Sequence, residues 1–210
     1  EKYPNTLIAI TADHGEEFWE HGGIGHAKTV YEEVVRVPIV ITGPGVPQHN
    51  IDTPVQNIDL APTIAAYLKL PPDPNWQGRD ILADPLPVVP VYAETHGSFP
   101  EAKLHRETIV SNRDKLIRDV AKQSTALYDL SRDWSEQKDL STEAPDKVAT
   151  LSGALDAHNA EAAAHPLAKI PAPVLDLAGK PVATTPPAAE TAEISADVKA
   201  QLKSLGYLKE

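Results

Sequence analysis

The chain has 210 residues, 41% of them hydrophobic, with a net charge of −11, 20 prolines and no cysteine. That length holds one domain or two small ones. The acidic balance argues against nucleic acid or an anionic membrane surface as partner, and the lack of cysteine excludes disulfides and thiolate metal sites.

No apolar run reaches transmembrane length, and the prolines imply long irregular segments. After a polar lead-in, Leu7, Ile8, Ala9 and Ile10 form a run that suits a fully buried parallel strand. It ends in Asp13, His14 and Gly15. An acid and an imidazole at the carboxyl end of a strand stand where α/β sheets keep their sites. Asp13 offers a hard anionic oxygen and His14 a neutral imidazole nitrogen, a mixed set that suits zinc, manganese or iron better than calcium. Two ligands make half a site, so the others must come from elsewhere. Gly15 is expected where the backbone turns sharply. Taken alone, Asp-His-Gly also reads as a solvated turn.

Residues 16–24 read as a charged, glycine-rich loop in which Phe18 and Trp19 either line a substrate mouth or pack beneath it. His21 reads as an ordinary loop histidine. His26 follows twelve residues after His14, near enough to touch whatever a metal would bind. Lys28 is either a source of positive charge for an anion or a plain solvated lysine. Residues 29–35 can make a short helix with Tyr31, Val34 and Val35 on one side, and Glu32 and Glu33 are expected to pair with cations such as Arg36.

Residues 37–41 read as the next strand, with Pro38 at its start or on an edge. Gly43-Pro44-Gly45 is a turn. Residues 55–58 read as a short strand, and Asp59 as the N-cap of a helix over 60–68 whose apolar face holds Ile64, Ala65 and Leu68. A proline-rich connection follows over 70–90. Residues 91–95, 108–111, 115–119 and 125–130 are strand candidates for a small antiparallel sheet, with Asn112-Arg113-Asp114 as a hairpin turn. A helix over 145–164, with Val148, Leu151 and Leu155 at helical spacing, is its cover. His96 and His105 fall in the loop between the first two strands and read as surface histidines.

The Pro/Ala/Thr-rich stretch 166–193 is expected to be an extended wrap or a disordered linker. Ser195 can cap a last amphipathic helix carrying Val198, Leu202 and Leu205, stopped by Gly206. The expected units are therefore 1–90, 91–165, 166–193 and 194–210.

Several blocks in order carry a resemblance: Thr-Ala-Asp13-His14-Gly15-Glu16, Glu20-His21-Gly22, Gly25-His26, Tyr31-Glu32-Glu33, Arg36-Val37-Pro38, Gly43-Pro44-Gly45, the Val55-to-Thr63 block and Gly78-Arg79-Asp80-Ile81-Leu82. Together they resemble the carboxyl-terminal half of a sulfatase, within the alkaline phosphatase superfamily. The resemblance covers roughly residues 6–140.

The resemblance implies an α/β fold: part of a mixed, mostly parallel sheet with flanking helices, plus a small antiparallel-sheet-and-helix subdomain. It implies one divalent metal ion held in part by Asp13 and His14, calcium by family, with manganese or zinc admitted by the histidine. It places His26 where many members carry a lysine that contacts the sulfate, so His26 is expected as catalytic and substrate-binding and Lys28 as a further substrate contact. The substrate would be a small-molecule or glycan sulfate ester, and the location periplasmic or secreted. The nucleophile of that family, a Cys or Ser in a Cys/Ser-x-Pro-x-Arg motif, is not matched. Ser98-Phe99-Pro100 has the spacing but Ala102 replaces the arginine. The missing amino-terminal half is therefore expected to be required, and the chain alone to be inactive. Phosphodiesterases, phosphonate hydrolases and phosphoethanolamine transferases of the same superfamily remain open, as does a non-catalytic binding module.

Overall fold

The structure is a computed structural model that describes residues 4–99 and 102–164. The expected linker and terminal helix beyond residue 165 lie outside the described residues. In chain order the elements are β1 (Ile8–Thr11), β2 (Glu17–Phe18), β3 (Ile24–Gly25), α1 (Glu32–Val35), β4 (Ile39–Thr42), a 3-10 turn (Asn57–Asp59), α2 (Leu60–Tyr67), β5 (Val91–Phe99), β6 (Ala102–Ser111), β7 (Asp114–Asp119), β8 (Ser124–Asp129) and α3 (Pro145–Ala164).

The apolar run does form a strand, but its partner and burial differ from expectation. β1 pairs antiparallel with β4, Ile8 opposite Thr42 and Thr11 opposite Ile39. Ile8, Ile10 and Val40 are 49%, 56% and 50% exposed. A short run of apolar residues encodes strand propensity and a wish for cover on both faces, not the direction of the neighbour. Among the described residues no layer covers this pair. No mostly parallel sheet is formed by the described residues: the three sheets are β1-β4, β2-β3 and β5-β6-β7-β8, all antiparallel.

The loop after His14 contains a two-residue hairpin, β2 with β3. It closes on the buried Glu17, whose carboxylate accepts from the Gly23 amide at 2.7 Å. Residues 55–58 are not a strand. The Gln56 amide donates to Asp59 Oδ2 at 2.9 Å and sets a capping box, so the chain coils into the 3-10 turn. Asp59 thus caps that turn and not α2, and its other oxygen accepts from the Arg79 amide at 2.9 Å. The buried residues of α2 are Thr63 and the expected Ala65, whereas Leu68 is exposed. The Thr63 hydroxyl donates to the Asp59 carbonyl at 2.6 Å and accepts from the Ile81 amide at 3.0 Å. Those bonds fasten the Gly78–Leu82 segment to the helix.

The β5–β8 sheet and α3 match their pattern closely. The β6–β7 turn places Asn112 and Arg113 at φ 48° and 73°, the double positive φ of a tight hairpin turn. α3 buries Leu151 and Leu155 against Ile109, Leu116 and Leu127. Each such leucine is worth about 1.5–3 kcal/mol of burial. The other face of the sheet presents Ile117 and Tyr128 to Val30, with Tyr31 and Val35 beside them. One correction concerns length: β5 and β6 run on to Phe99 and back from Ala102, so His96 and His105 sit in paired strands, opposite each other, and not in a loop. Strand pairing there is made by backbone bonds, and polar side chains on both faces hid it from the hydrophobic pattern.

Candidate active site

Asp13 and His14 leave the end of β1 into an open cleft of about 870 Å³ whose lining also includes His26. Asp13 is 89% exposed at its side chain. The His14 amide donates to its Oδ1 at 3.0 Å and holds its carboxyl below the usual carboxylate range. His14 Nδ1 lies 2.8 Å from the Gly15 carbonyl. A carbonyl only accepts, so Nδ1 carries the proton and Nε2 keeps its lone pair in the neutral ring. That Nε2 stands 3.7 Å from Asp13 Oδ2, a spacing that lets both atoms ligate one cation at ordinary bond lengths of about 2.0–2.4 Å. An anionic oxygen and an imidazole lone pair at that separation fit a divalent metal as half of its protein ligands.

His26 stacks on His14, ring centroids 4.0 Å apart. Its Nδ1 lies 3.0 Å from Glu16 Oε2, so the carboxylate orients the ring. Donor atoms of His14, Glu16 and His26 lie within 4.8 Å of one another. Glu16 was not anticipated as a site residue, although its place directly after Gly15 puts it on the same loop. Lys28 is exposed and does not line the cleft, but its carbonyl accepts from the Arg106 guanidinium.

The loop that carries Asp13 and His14 is fixed from two sides. Gly15 is needed for a close approach, not for a sharp turn. A Cβ there would lie 2.1 Å from the Glu33 carbonyl oxygen. The space is used by backbone bonds from Gly15 N to Val34 O (2.7 Å) and from Glu16 N to Glu33 O (3.0 Å). On the other side Asn57 reaches the end of β1: its Nδ2 donates to the Ala12 carbonyl at 2.9 Å, and its Oδ1 accepts from the Thr11 hydroxyl at 2.9 Å. Nothing in the local pattern marked Asn57, because its partners are 45 residues away or more.

Glu32 and Glu33 do not pair with Arg36. Glu33 Oε1 lies 2.6 Å from His21 Nδ1. Burial costs the charged His21 ring, yet the Glu33 carboxylate and the Glu136 carbonyl more than offset it and raise the His21 pKa. His21 also stacks on Tyr31 at 3.6 Å, so it is a structural pin. Glu32 reaches Lys115 Nζ at 2.9 Å. Lys115 and its second partner, Glu136, also 2.9 Å away, are both fully buried at their side chains. Glu136 Oε1 meets Lys115 at ion-pair distance but off hydrogen-bond geometry. Burial pushes the Glu136 carboxyl up, with Lys115 opposing. Its Oε2 accepts from the Glu32 amide at 2.6 Å. The small sheet therefore grips the segment that follows His26 through a buried charge cluster.

The sulfatase family model matches residues 1–70. An uncharacterized sulfatase, YidJ, of Escherichia coli is 35% identical over 83 residues, covering 40% of this chain and 17% of that protein. Arylsulfatase K of Danio rerio is 25% identical over 152 residues, 67% of this sulfatase-like chain and 29% of that protein. Among solved structures, BT1596, a 2-O GAG sulfatase, superposes with a TM-score of 0.71 at 21% identity, covering 77% of this chain and 38% of the other. The phosphonate monoester hydrolase SpPMH from Silicibacter pomeroyi superposes with a TM-score of 0.61 at 22% identity, over 85% of this chain and 38% of the other. The fold is thus a sulfatase-like α/β fold, and the chain spans well under half the length of these relatives.

Proposed function

We propose that this chain supplies the Asp13–His14 portion of the metal centre and the His26 contact of a sulfate-ester hydrolase. The observation that supports it is the 3.7 Å spacing of Asp13 Oδ2 and His14 Nε2, with the His26 ring stacked against His14, in sequence that matches sulfatases. The nucleophile and remaining ligands would come from sequence outside these 210 residues. A bound divalent cation supplies charge stabilisation to an ester oxygen and lowers the pKa of a nucleophile. The chain's own residues do the rest. Asp13 and His14 hold the ion, and calcium, manganese and zinc are the candidate metals. The Gly15 carbonyl keeps the lone pair of His14 on Nε2. Glu16 orients His26, which, protonated, donates to a non-bridging oxygen or to the leaving group.

The substrate class is a sulfate ester on a small molecule or glycan. Relatives include an extracellular sulfatase of Drosophila melanogaster, which favours a secreted or periplasmic setting. No helix of the described residues is long and apolar enough to cross a membrane. The likeness to a phosphonate monoester hydrolase favours one alternative, a phosphonate or phosphate ester as substrate. The test is metal content and turnover of an aryl sulfate against an aryl phosphonate by the full-length protein, beside His14→Ala. Loss of the ion and of aryl-sulfate hydrolysis on substitution supports the proposal. Turnover of the phosphonate alone supports the alternative. Unchanged metal content in His14→Ala overturns both.

A further inference from the structure

The two faces of the β5–β8 sheet carry different groups. Thr95 and Arg106 are register partners on the face toward the active-site loop: Thr95 Oγ1 donates to the Ala27 carbonyl at 2.9 Å and the Arg106 guanidinium to the Lys28 carbonyl. Strand alternation sends their neighbours Glu94, His96, His105 and Glu107 to the other face, the one covered by α3. There Tyr92 stacks on His158 at 3.8 Å, and Asn159 donates to Glu107 Oε1 at 2.9 Å.

On that face the register forms a two-by-two lattice, His96 opposite His105 and Glu94 opposite Glu107. The two imidazoles stack with centroids 4.2 Å apart. His96 Nε2 lies 3.0 Å from Glu94 Oε2, and donor atoms of Glu94, His96 and His105 lie within 4.8 Å of one another. Carboxylates directly opposite each other repel, and so do two protonated imidazoles in contact. Glu107 is neutralised by Arg118 at 2.6 Å. Glu107 Oε1 also stands 3.0 Å from His105 Nε2, without hydrogen-bond geometry between them.

We propose that Glu94, His96 and His105 form a second divalent-cation site, separate from the Asp13–His14 centre and on the opposite sheet face. Two imidazoles and one carboxylate select a borderline transition ion, Zn²⁺ in the first place, over calcium or magnesium. Glu107 stands beside His105, with Oε1 3.0 Å from Nε2, and keeps a negative charge next to the site. Arg118 and Asn159 occupy Glu107 and keep it from becoming a fourth ligand, which leaves the outer side of the ion to water. The ion staples the edge strand β5 to β6 at the pair of residues next to Thr95 and Arg106. It thereby stiffens the hairpin whose far face holds the backbone at Ala27 and Lys28.

The test is Zn²⁺ titration of the full-length protein by calorimetry, with absorption of the Co²⁺ form as a second readout. The variants are His96→Gln and Glu94→Gln, both at exposed positions where folding is preserved, and His14→Ala at the other centre. The expected result is one Zn²⁺ equivalent that weakens by more than about 100-fold in His96→Gln and in Glu94→Gln, beyond the roughly 10–100-fold scale of an outer-shell loss because the ligand itself is gone. That equivalent persists in His14→Ala. Zn²⁺ binding of equal stoichiometry and affinity in the parent, His96→Gln and Glu94→Gln overturns the proposal. So does a single equivalent that disappears only in His14→Ala.

Discussion

Gly15→Ala should damage both stability and catalysis. The new Cβ would stand 2.1 Å from the Glu33 carbonyl oxygen and 3.1 Å from its carbon. An ordinary carbon–oxygen contact is about 3.3–3.6 Å, so the two backbones must part by about an ångström. Neither neighbour is an adaptable side-chain end. α1 is held by the Glu136 carboxylate at the Glu32 amide and by the buried Val34, and its carbonyls accept the bonds from Gly15 and Glu16. Overpacking of this kind costs about 1–3 kcal/mol, and each strained backbone bond about 0.5–1.5 kcal/mol more. The expected loss is about 2–6 kcal/mol by denaturant unfolding of the full-length protein. An ångström of displacement beside His14 should lower kcat by about 10²-fold. Gly153→Ala is the control: nothing lies within 4 Å of its Cβ position, in the middle of α3, and it should stabilise by about 0.5–1 kcal/mol. A Gly15→Ala protein within about 0.5 kcal/mol of the parent, with unchanged kcat, would refute the close-approach argument.

Asn57→Ala removes both bonds to the end of β1 and should raise the metal Kd about tenfold, measured by titration, while unfolding free energy falls by only about 1–2 kcal/mol. Lys115→Met leaves the buried Glu136 without its cation and should cost about 3–5 kcal/mol by denaturant unfolding, largely recovered when Glu32 and Glu136 are also made apolar. His21, whose pKa is raised above its ordinary 6.5 by Glu33, contributes stability that is fully present below pH about 6.5 and is lost as pH rises through the folded-state pKa. Thermal melts from pH 6 to 9 should therefore show a decline that is shallower in His21→Gln, and parallel profiles in the two proteins would remove His21 from that role.

Local signals in the chain were read well where a single element satisfies itself. The Asn112–Arg113 turn and the α3 helix depend on residues within one turn or one heptad, so their pattern is complete in sequence. The strand before Asp13 and the strand over 37–41 were equally plain, but their antiparallel pairing was not, because a run of four apolar residues is silent about direction. Asp59 shows a subtler failure. Its type signalled a cap, and it does cap, but at the 3-10 turn one step earlier, where Gln56 supplies the reciprocal bond. That Asp13, His14 and His26 come together was legible from residue type and spacing. Glu16, Asn57 and the Lys115–Glu136 pair were not, since their roles come from contacts that tertiary packing alone creates.

Those contacts explain why the small sheet matters to a centre it does not itself build. His26 is followed at once by a segment with little regular structure: Ala27 has φ 63°, and α1 begins only at Glu32. Left to itself such a segment would sample many backbone states, at a cost of about 1–2 kcal/mol per residue to fix. Here the sheet supplies anchors through Thr95 at the Ala27 carbonyl, Arg106 at the Lys28 carbonyl, Ile117 and Tyr128 against the buried Val30, and Lys115 on Glu32, and Glu136 at the Glu32 amide and His21 stacked on Tyr31 add to them. A loss on the sheet face should therefore register first as mobility of the His26 ring and only then as unfolding. Removing Thr95 or Arg106 tests the order, because each leaves the core of Ile109, Leu116 and Leu127 intact on the opposite face.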